Sequence, residues 1–497
     1  MNKKTWTRHL TLLLAALVLA GCASGPEFEP IAPPAAPVAF KSIDGRWATL
    51  PPAEAQARGE WWKAFGDARL DDLIARAAHN TSIQAAAARL AQARALVRAT
   101  NADRLPQIGV GASVVRQTLP LAGGTLPGQA ATTANVGATA AWELDLFGRI
   151  AKAGDAAALD AQSREALLQS TRLLVQADVA KTYFAVRALD AERALMRESV
   201  TAYRDTLRVI ERRYQAGDVS ELDLARVRTE VASIESQALA LDRRRAELEH
   251  ALATLMGEVP SGFGLAESDW SAAPPQVPPG VPSSVLARRP DVAAAQHAML
   301  AAQTRAGVAR TAWFPDVTLT ATAGQVSTDL SELFKWSARA WGVGALLSLP
   351  IFDGGRREAG VQSANAQWDA AAASYREQVL LAFRDVEDQL SALSLLSDQA
   401  SAQAQAVEWA SRATVLSTSR YRNGYVSQLE ALDARRSELA NRRLALQVRA
   451  AQYQATVDLI RALGGTWEGP AARTAEESAD VEHRHSLLQT VETLARR

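Results

Sequence analysis

The chain has 497 residues, and its 54 lysines and arginines balance 54 aspartates and glutamates, so the formal net charge is zero. That balance leaves no basic excess to hold a phosphate backbone and no acidic excess of the kind that forms a solvating tail, so nucleic acid is not an expected partner. The hydrophobic share is 48%, yet beyond the first residues no apolar run approaches the ~18 residues of a spanning helix, and any bilayer crossing must be made by β-strands.

Lys3, Lys4 and Arg8 precede the apolar run 10–20, which is too short and wrongly flanked to span a membrane. Residues 1–21 therefore read as a secretion signal. It ends in Leu19-Ala20-Gly21-Cys22, which resembles the lipobox of bacterial lipoproteins. That resemblance implies cleavage before Cys22 and acylation of its thiol, and Ala23 resembles the pattern sent on to the outer membrane. Cys22 is the only cysteine, so the chain holds no internal disulfide. Residues 22–60 form a lipid-anchored extended segment in this reading.

The rest of the chain is written twice. Arg213-Tyr214-Gln215-Ala216-Gly217-Asp218-Val219-Ser220 matches Arg420-Tyr421-Arg422-Asn423-Gly424-Tyr425-Val426-Ser427, and Met256-Gly257 matches Leu463-Gly464. The first repeat occupies 61–270 and the second 271–465, followed by a polar, flexible tail at 466–497. Each repeat opens with an Ala-rich helix, 83–103 or 292–311, stopped by Pro106 or Pro315 because proline lacks the amide a helix interior needs. A β-hairpin follows, within 107–146 or 316–351. Its outgoing strand alternates, with Ile108, Val110, Ala112 and Val114 on one face in the first copy, and Val317, Leu319, Ala321 and Ala323 in the second. The return strands are expected at 133–146 and 339–351, each ending in a glycine turn into a helix.

Those helices are long, with no proline from 150 to 215 or from 357 to 422. Ala177, Ala180, Phe184, Ala188, Ala191 and Leu195 make a seam with steps of three and four, as do Val379, Phe383, Val386, Leu390 and Leu393. Gly217 and Gly424 stop the two helices, and a shorter helix returns in each repeat, 221–256 in the first. At ~1.5 Å per residue the long helices reach roughly 100 Å, more than the thickness of an ordinary globular domain.

The fold class is therefore mostly α with a β-barrel part. Four strands in lipid leave two unpaired edges, at several kcal/mol per backbone group, so the chain must close with other copies. Two copies give about eight strands and a bore filled by side chains; three give about twelve and a wider bore, which favours a trimer.

Several motifs now resemble one family. They are Trp61-Trp62-Lys63-Ala64-Phe65-Gly66-Asp67, Trp142-Glu143-Leu144-Asp145-Leu146-Phe147-Gly148-Arg149, Ser284-Val285-Leu286-Ala287-Arg288-Arg289-Pro290-Asp291, Pro350-Ile351-Phe352-Asp353-Gly354-Gly355 and Tyr421-Arg422-Asn423-Gly424 with Leu432-Asp433-Ala434-Arg435-Arg436. Together they resemble the outer-membrane factors of tripartite efflux pumps, in the lipoprotein branch that works with resistance-nodulation-division transporters. The resemblance implies a homotrimer with a twelve-stranded barrel on a periplasmic helical tunnel, in contact with outer-membrane lipid. It also implies two partners, a periplasmic adaptor protein and an inner-membrane resistance-nodulation-division transporter. The expected role is a passive gated conduit for drugs or other small toxic compounds; the alternative is a protein or peptide export conduit of the same architecture.

In that family the gate lies where the helices turn at the periplasmic tip, near Gly217 and Gly424. By motif match Leu429 resembles the apolar constriction, Asp433 the acidic ring and Arg436 its basic partner, with Asp223 the corresponding acid of the first repeat and Glu430 beside them. A threefold ring would turn one aspartate into three converging carboxylates. Ser220 to Asp223 and Ser427 to Glu430 also have the form of helix capping boxes, which is a structural account of Asp223 and Glu430. Some relatives carry an arginine two residues after the second glycine, where this chain has Val426. Tyr214 and Tyr421 suit either packing or bracing of the tip, and Trp142 and Trp341 either strand packing or a membrane-interface belt.

No enzyme, cofactor or metal site is expected. The six histidines include His9 in the signal, and neither His-Glu-x-x-His nor Cys-x-x-Cys occurs. His483 and His485 sit in the polar tail, and His79, His250 and His297 lie singly on expected helices.

Overall fold

The computed structural model describes residues 40–41, 60–118, 130–268, 270, 273–275 and 289–465. The signal, Cys22, the first hairpin loop, Ser284 to Arg288, and the tail with His483 and His485 lie outside the described residues. The elements are α1 (Ala68–Arg76), α2 (Thr81–Ala102), β1 (Gln107–Thr118), β2 (Ala130–Leu144), α3 (Arg149–Gln215), α4 (Glu221–Leu255), α5 (Pro290–Thr311), β3 (Asp316–Ser327), β4 (Arg339–Ser348), α6 (Arg356–Arg422) and α7 (Gln428–Ala462).

They divide into two compact units that cut across the sequence repeats. One takes Ala88–Glu165 and Ala294–Glu377, the other Pro34–Ala87, Ala166–Ala293 and Gln378 onward. The helices α3 and α6 each run 67 residues without a break. Their starts differ in detail: the Asp145 carboxylate accepts from the amides of Ile150 and Ala151 at 3.0 and 2.7 Å, whereas Asp353 accepts from Gly355 and Arg357 at 3.0 and 3.1 Å. Both satisfy amides that a helix N-terminus leaves open.

The first unit contains one antiparallel sheet in the order β1-β2-β3-β4, so both hairpins join through β2 and β3. Register decides which side chains share a face. Ile108, Val110, Ala112 and Val114 pair with Ala140, Ala138, Val136 and Ala134. The face continues through Val317, Leu319, Ala321 and Ala323 to Leu347, Ala345, Val343 and Trp341. It is apolar across all four strands, and Gln325 and Arg339 pair near its loop end. The opposite face carries Gly109, Gly111 and Ser113, then Thr139, Gly137 and Asn135, then Thr320, Thr322 and Gly324, then Gly342 and Gly344. Every residue of β1 is exposed, as are nine of the ten residues of β4. Among the described residues neither edge strand has a partner on its outer side.

The return strands end earlier than the sequence suggests. β2 stops at Leu144 because Asp145 turns to cap α3, and β4 stops at Ser348, just before Pro350, which has no amide to give a ladder. Trp142 and Trp341 lie on the apolar face. The Trp142 indole donates to the Arg104 carbonyl at 3.0 Å, near the helix end of the sheet, while Trp341 is third from the loop end of β4 and 80% exposed. Stacked Phe147 and Phe314, with centroids 4.7 Å apart, pack the two strand-helix junctions together.

The second unit holds most of the helical core. Ala177, Ala180, Phe184, Val379, Val386 and Leu390 of the expected seams are buried, while Ala188, Ala191, Leu195, Phe383 and Leu393 are half-buried. A polar clamp fixes residues 265–267 on α3 and α4. The buried Asp190 carboxylate meets Arg187, Arg193 and Arg245 at 3.5, 3.4 and 2.7 Å, and these arginines also reach the carbonyls of Ala266 and Leu265 and the Glu267 carboxylate. A buried charge is tolerated only with such partners. His79, His250 and His297 are dispersed, and among the described residues no group of histidines, cysteines and carboxylates is placed to hold a metal.

Candidate functional site

The two repeats reach the same kind of turn in the second unit. α3 and α6 end in the left-handed glycines Gly217 (φ 79°) and Gly424 (φ 77°). The amide of Gly217 donates to the Tyr214 carbonyl at 3.0 Å and that of Asp218 to the Arg213 carbonyl at 2.8 Å. Gly424 to Tyr421 at 3.0 Å and Tyr425 to Arg420 at 2.9 Å repeat the pattern. This closes the last turn of each helix and reverses the chain, and only glycine takes that backbone without strain.

The next helices are capped, though not identically. In α4 the box is complete: the Asp223 amide donates to the Ser220 hydroxyl oxygen at 3.2 Å, and the Asp223 carboxylate accepts from the Ser220 hydroxyl at 2.7 Å and its amide at 3.3 Å. These bonds, the hydroxyl first, hold the Asp223 carboxyl below its ordinary pKa. In α7 only half the box forms. The Glu430 amide donates to the Ser427 hydroxyl oxygen at 3.4 Å, but the Glu430 carboxylate lies 3.7 Å from Arg420 instead. The expected symmetry of the two boxes therefore fails at Glu430, because a guanidinium is in reach and outcompetes the serine amide for the carboxylate.

Leu429 and Leu222, its counterpart one repeat earlier, are both largely exposed at these first turns. Leu432, one turn further along, is the residue that enters the core, with Met196, Tyr203, Ile210, Leu224, Val227, Val231 and Ile234. Leu429 is thus not a core residue of this chain. Asp433 is 57% exposed and accepts from Arg436 at 3.3 Å. Arg436 also binds Glu230 on α4, and that hydrogen bond is the main cause holding its guanidinium pKa above the ordinary value. Glu230 escaped the sequence reading because nothing in spacing reveals a partner 206 residues away.

Further polar contacts tie the helices of the two repeats together, the first of them at the turns. Arg213 donates to the Tyr421 hydroxyl at 3.3 Å, Arg435 to the Thr206 hydroxyl at 3.4 Å, and Arg443 to Glu192 at 2.7 Å. The Tyr421 hydroxyl thus accepts a hydrogen bond from the residue four before Gly217. Tyr214 is 40% exposed. A cleft of about 400 Å³ opens beside these contacts, lined in part by Thr206, Ile210, Tyr421, Gln428, Leu432 and Arg435. The two turns thus carry exposed apolar and acidic groups on capped helix ends, linked by hydrogen bonds between side chains.

The model of one family, described as outer membrane efflux protein, matches residues 75–258 and again 281–465. The chain belongs to the outer membrane efflux protein family. It is 33% identical over 468 residues to the solvent efflux pump outer membrane protein SrpC of Pseudomonas putida, covering 92% of this chain and 97% of that one. It is 31% identical over 462 residues to the cation efflux system protein CusC of Escherichia coli, covering 91% and 97%. The solved outer-membrane channel OprN superposes with a TM-score of 0.82 at 29% identity, covering 89% of this chain and 99% of that one. As an outer membrane efflux protein the chain is the outer-membrane component of an efflux system, and its long helices and small sheet are the tunnel and barrel elements of that fold.

Proposed function

We propose that three copies of this chain form a gated, passive channel whose twelve strands close into one barrel in the outer membrane. The observation that carries this is the sheet register. One face is apolar along most of all four strands, and the other is mostly glycine, threonine, serine and asparagine with Val115, Val326 and Leu346 among them, while among the described residues neither edge strand is paired on its outer side. In lipid the apolar face turns outward and the polar face lines a water-filled bore, and pairing of β4 with β1 of the next copy removes the edges. Three copies leave the wider bore.

The helical part extends into the periplasm in this reading and meets a periplasmic adaptor and an inner-membrane resistance-nodulation-division transporter, which supplies the energy. Acylation of Cys22 adds a lipid anchor. The cargo is a class of small toxic compounds; the named relatives serve solvent and cation efflux. Leu429 forms the apolar constriction at the tip, with Asp433 as an acidic ring positioned by Arg436. Asp223 and Glu430 shape the helix starts around it.

Planar-bilayer recording of the purified full chain tests this reading. Discrete, water-filled conductance steps support it; a protein that inserts and never conducts rejects it.

A further inference from the structure

The second hairpin loop, 328–338, is a small built structure rather than a slack connection. Two 3-10 turns, Leu330–Glu332 and Trp336–Ala338, fold it around the buried side chains of Leu333 and Ala338. Asp329 fixes the first turn by accepting from the amide and hydroxyl of Ser331 at 2.9 and 2.8 Å, bonds that hold its carboxyl below the ordinary range. Lys335 is paired with Glu332. With Leu333 turned inward, the loop presents Leu330, Phe334 and Trp336 outward, at 63%, 76% and 77% exposure.

Arg339 follows directly and belongs to the apolar face of the sheet, in register with Gln325. Its guanidinium lies over the Trp336 ring, 3.2 Å from the centroid. Among the described residues it makes no ion pair, and the loop's carboxylates Asp329 and Glu332 are engaged by Ser331 and Lys335. Along β4 the lipid-directed face runs from Leu347, Ala345 and Val343 to Trp341 and then to Arg339, and the loop beyond adds the exposed Leu330, Phe334 and Trp336 next to that cation. That is the order of chemistry met on leaving a bilayer, from acyl chains to the glycerol region to phosphate.

We propose that loop 328–338 is an interfacial anchor seated in the headgroup layer of the outer leaflet, with Phe334 and Trp336 entering the layer and Arg339 meeting a lipid phosphate. The ligand is the membrane surface itself. This rests on the reading of the apolar sheet face as lipid-facing, and the test separates the two.

An environment-sensitive thiol probe is attached through Phe334→Cys, and separately through Val343→Cys on the sheet face, with the unmodified chain and its single Cys22 as the labelling blank. Each protein is reconstituted in vesicles of phosphatidylcholine and phosphatidylglycerol carrying nitroxide lipids labelled near the headgroup or near the acyl end. At 334 the shallow quencher is expected to act at least about twofold more strongly than the deep one, and at 343 the reverse. Adding Arg339→Gln should weaken the shallow quenching at 334; unchanged quenching overturns the phosphate contact. If 334 responds to aqueous iodide alone while 343 is quenched from lipid, the anchor is wrong and the channel reading stands. If 343 is also reached only from water, the lipid-facing assignment falls and takes the anchor with it.

Discussion

Asn80 and Arg289 perform the same task in the two repeats with different chemistry. Asn80 Nδ2 donates to the Leu255 carbonyl at 2.7 Å, and Arg289 Nη1 donates to the Ala462 carbonyl at 3.2 Å, so the residue before α2 or α5 ties down the last turn of α4 or α7. Arg289 has taken on more: it also holds Asp291 at 2.7 Å and Asp385 at 3.2 Å, and its side chain is only 6% exposed.

The two sites should differ in cost accordingly. Asn80→Ala removes two side-chain hydrogen bonds, to the Leu255 carbonyl and from the Ser82 amide, and should destabilise by about 1–3 kcal/mol. Arg289→Ala takes the shared cation from two partly buried carboxylates, leaving Asp385 with Arg384 and Asp291 with Gln378 and the Val292 amide, and should cost more, about 3–5 kcal/mol. Denaturant or thermal unfolding of the two variants measures the gap, and equal losses would contradict it.

The Asp190 clamp gives a pH-dependent prediction through Glu267. Its carboxyl is held below the ordinary value of 4.5, first by the hydrogen bond from Arg197 and then by Arg193. A depressed carboxyl contributes stability above its unfolded pKa and loses it as pH falls through the folded one. The wild type should therefore melt above Glu267→Gln at pH 7, and the two curves should converge as pH falls through and below the folded pKa. A difference that persists after full protonation would contradict the assignment.

Glycine has two separate meanings in the sheet. A Cβ built at Gly137 would lie 2.9 Å from the Ala323 carbonyl oxygen and 3.0 Å from the Gly324 Cα, whereas at Gly111 nothing lies within 4 Å. Gly137→Val should therefore disrupt the β2–β3 pairing and the yield of heat-resistant assembled protein on a gel, while Gly111→Ala should leave it unchanged. The contrast follows from backbone distance alone, since neither glycine has a positive φ.

Much of this architecture is legible in the residues. The duplication, the long helices, the hairpins and the glycine stops follow from offset matching, proline placement and periodicity. Boundaries slip where local chemistry intervenes: α5 starts at Pro290 rather than 292 because proline is welcome in a first turn, and β2 stops short because Asp145 caps a helix. The alternation within each outgoing strand is visible, but which faces coincide across strands depends on register. Partners across the repeats, such as Glu230 for Arg436 or Thr206 for Arg435, are set by packing between distant helices and leave no local trace.

At the tip, Asp223 and Asp433 should behave differently although repeat logic makes both of them tip acids. The Asp223 carboxylate is occupied by its capping serine, while Asp433 is exposed with Arg436 beside it. Asp433→Ala should raise single-channel conductance or weaken cation preference, and Asp223→Asn should do neither. Identical traces for wild type and Asp433→Ala would remove Asp433 from the gate.

The most direct test of the whole account is the mass of the detergent-solubilised, full-length protein by native mass spectrometry. Closure of the two free sheet edges around a wide bore predicts a species of three copies. A stable, folded single chain, or an assembly of two, would contradict it.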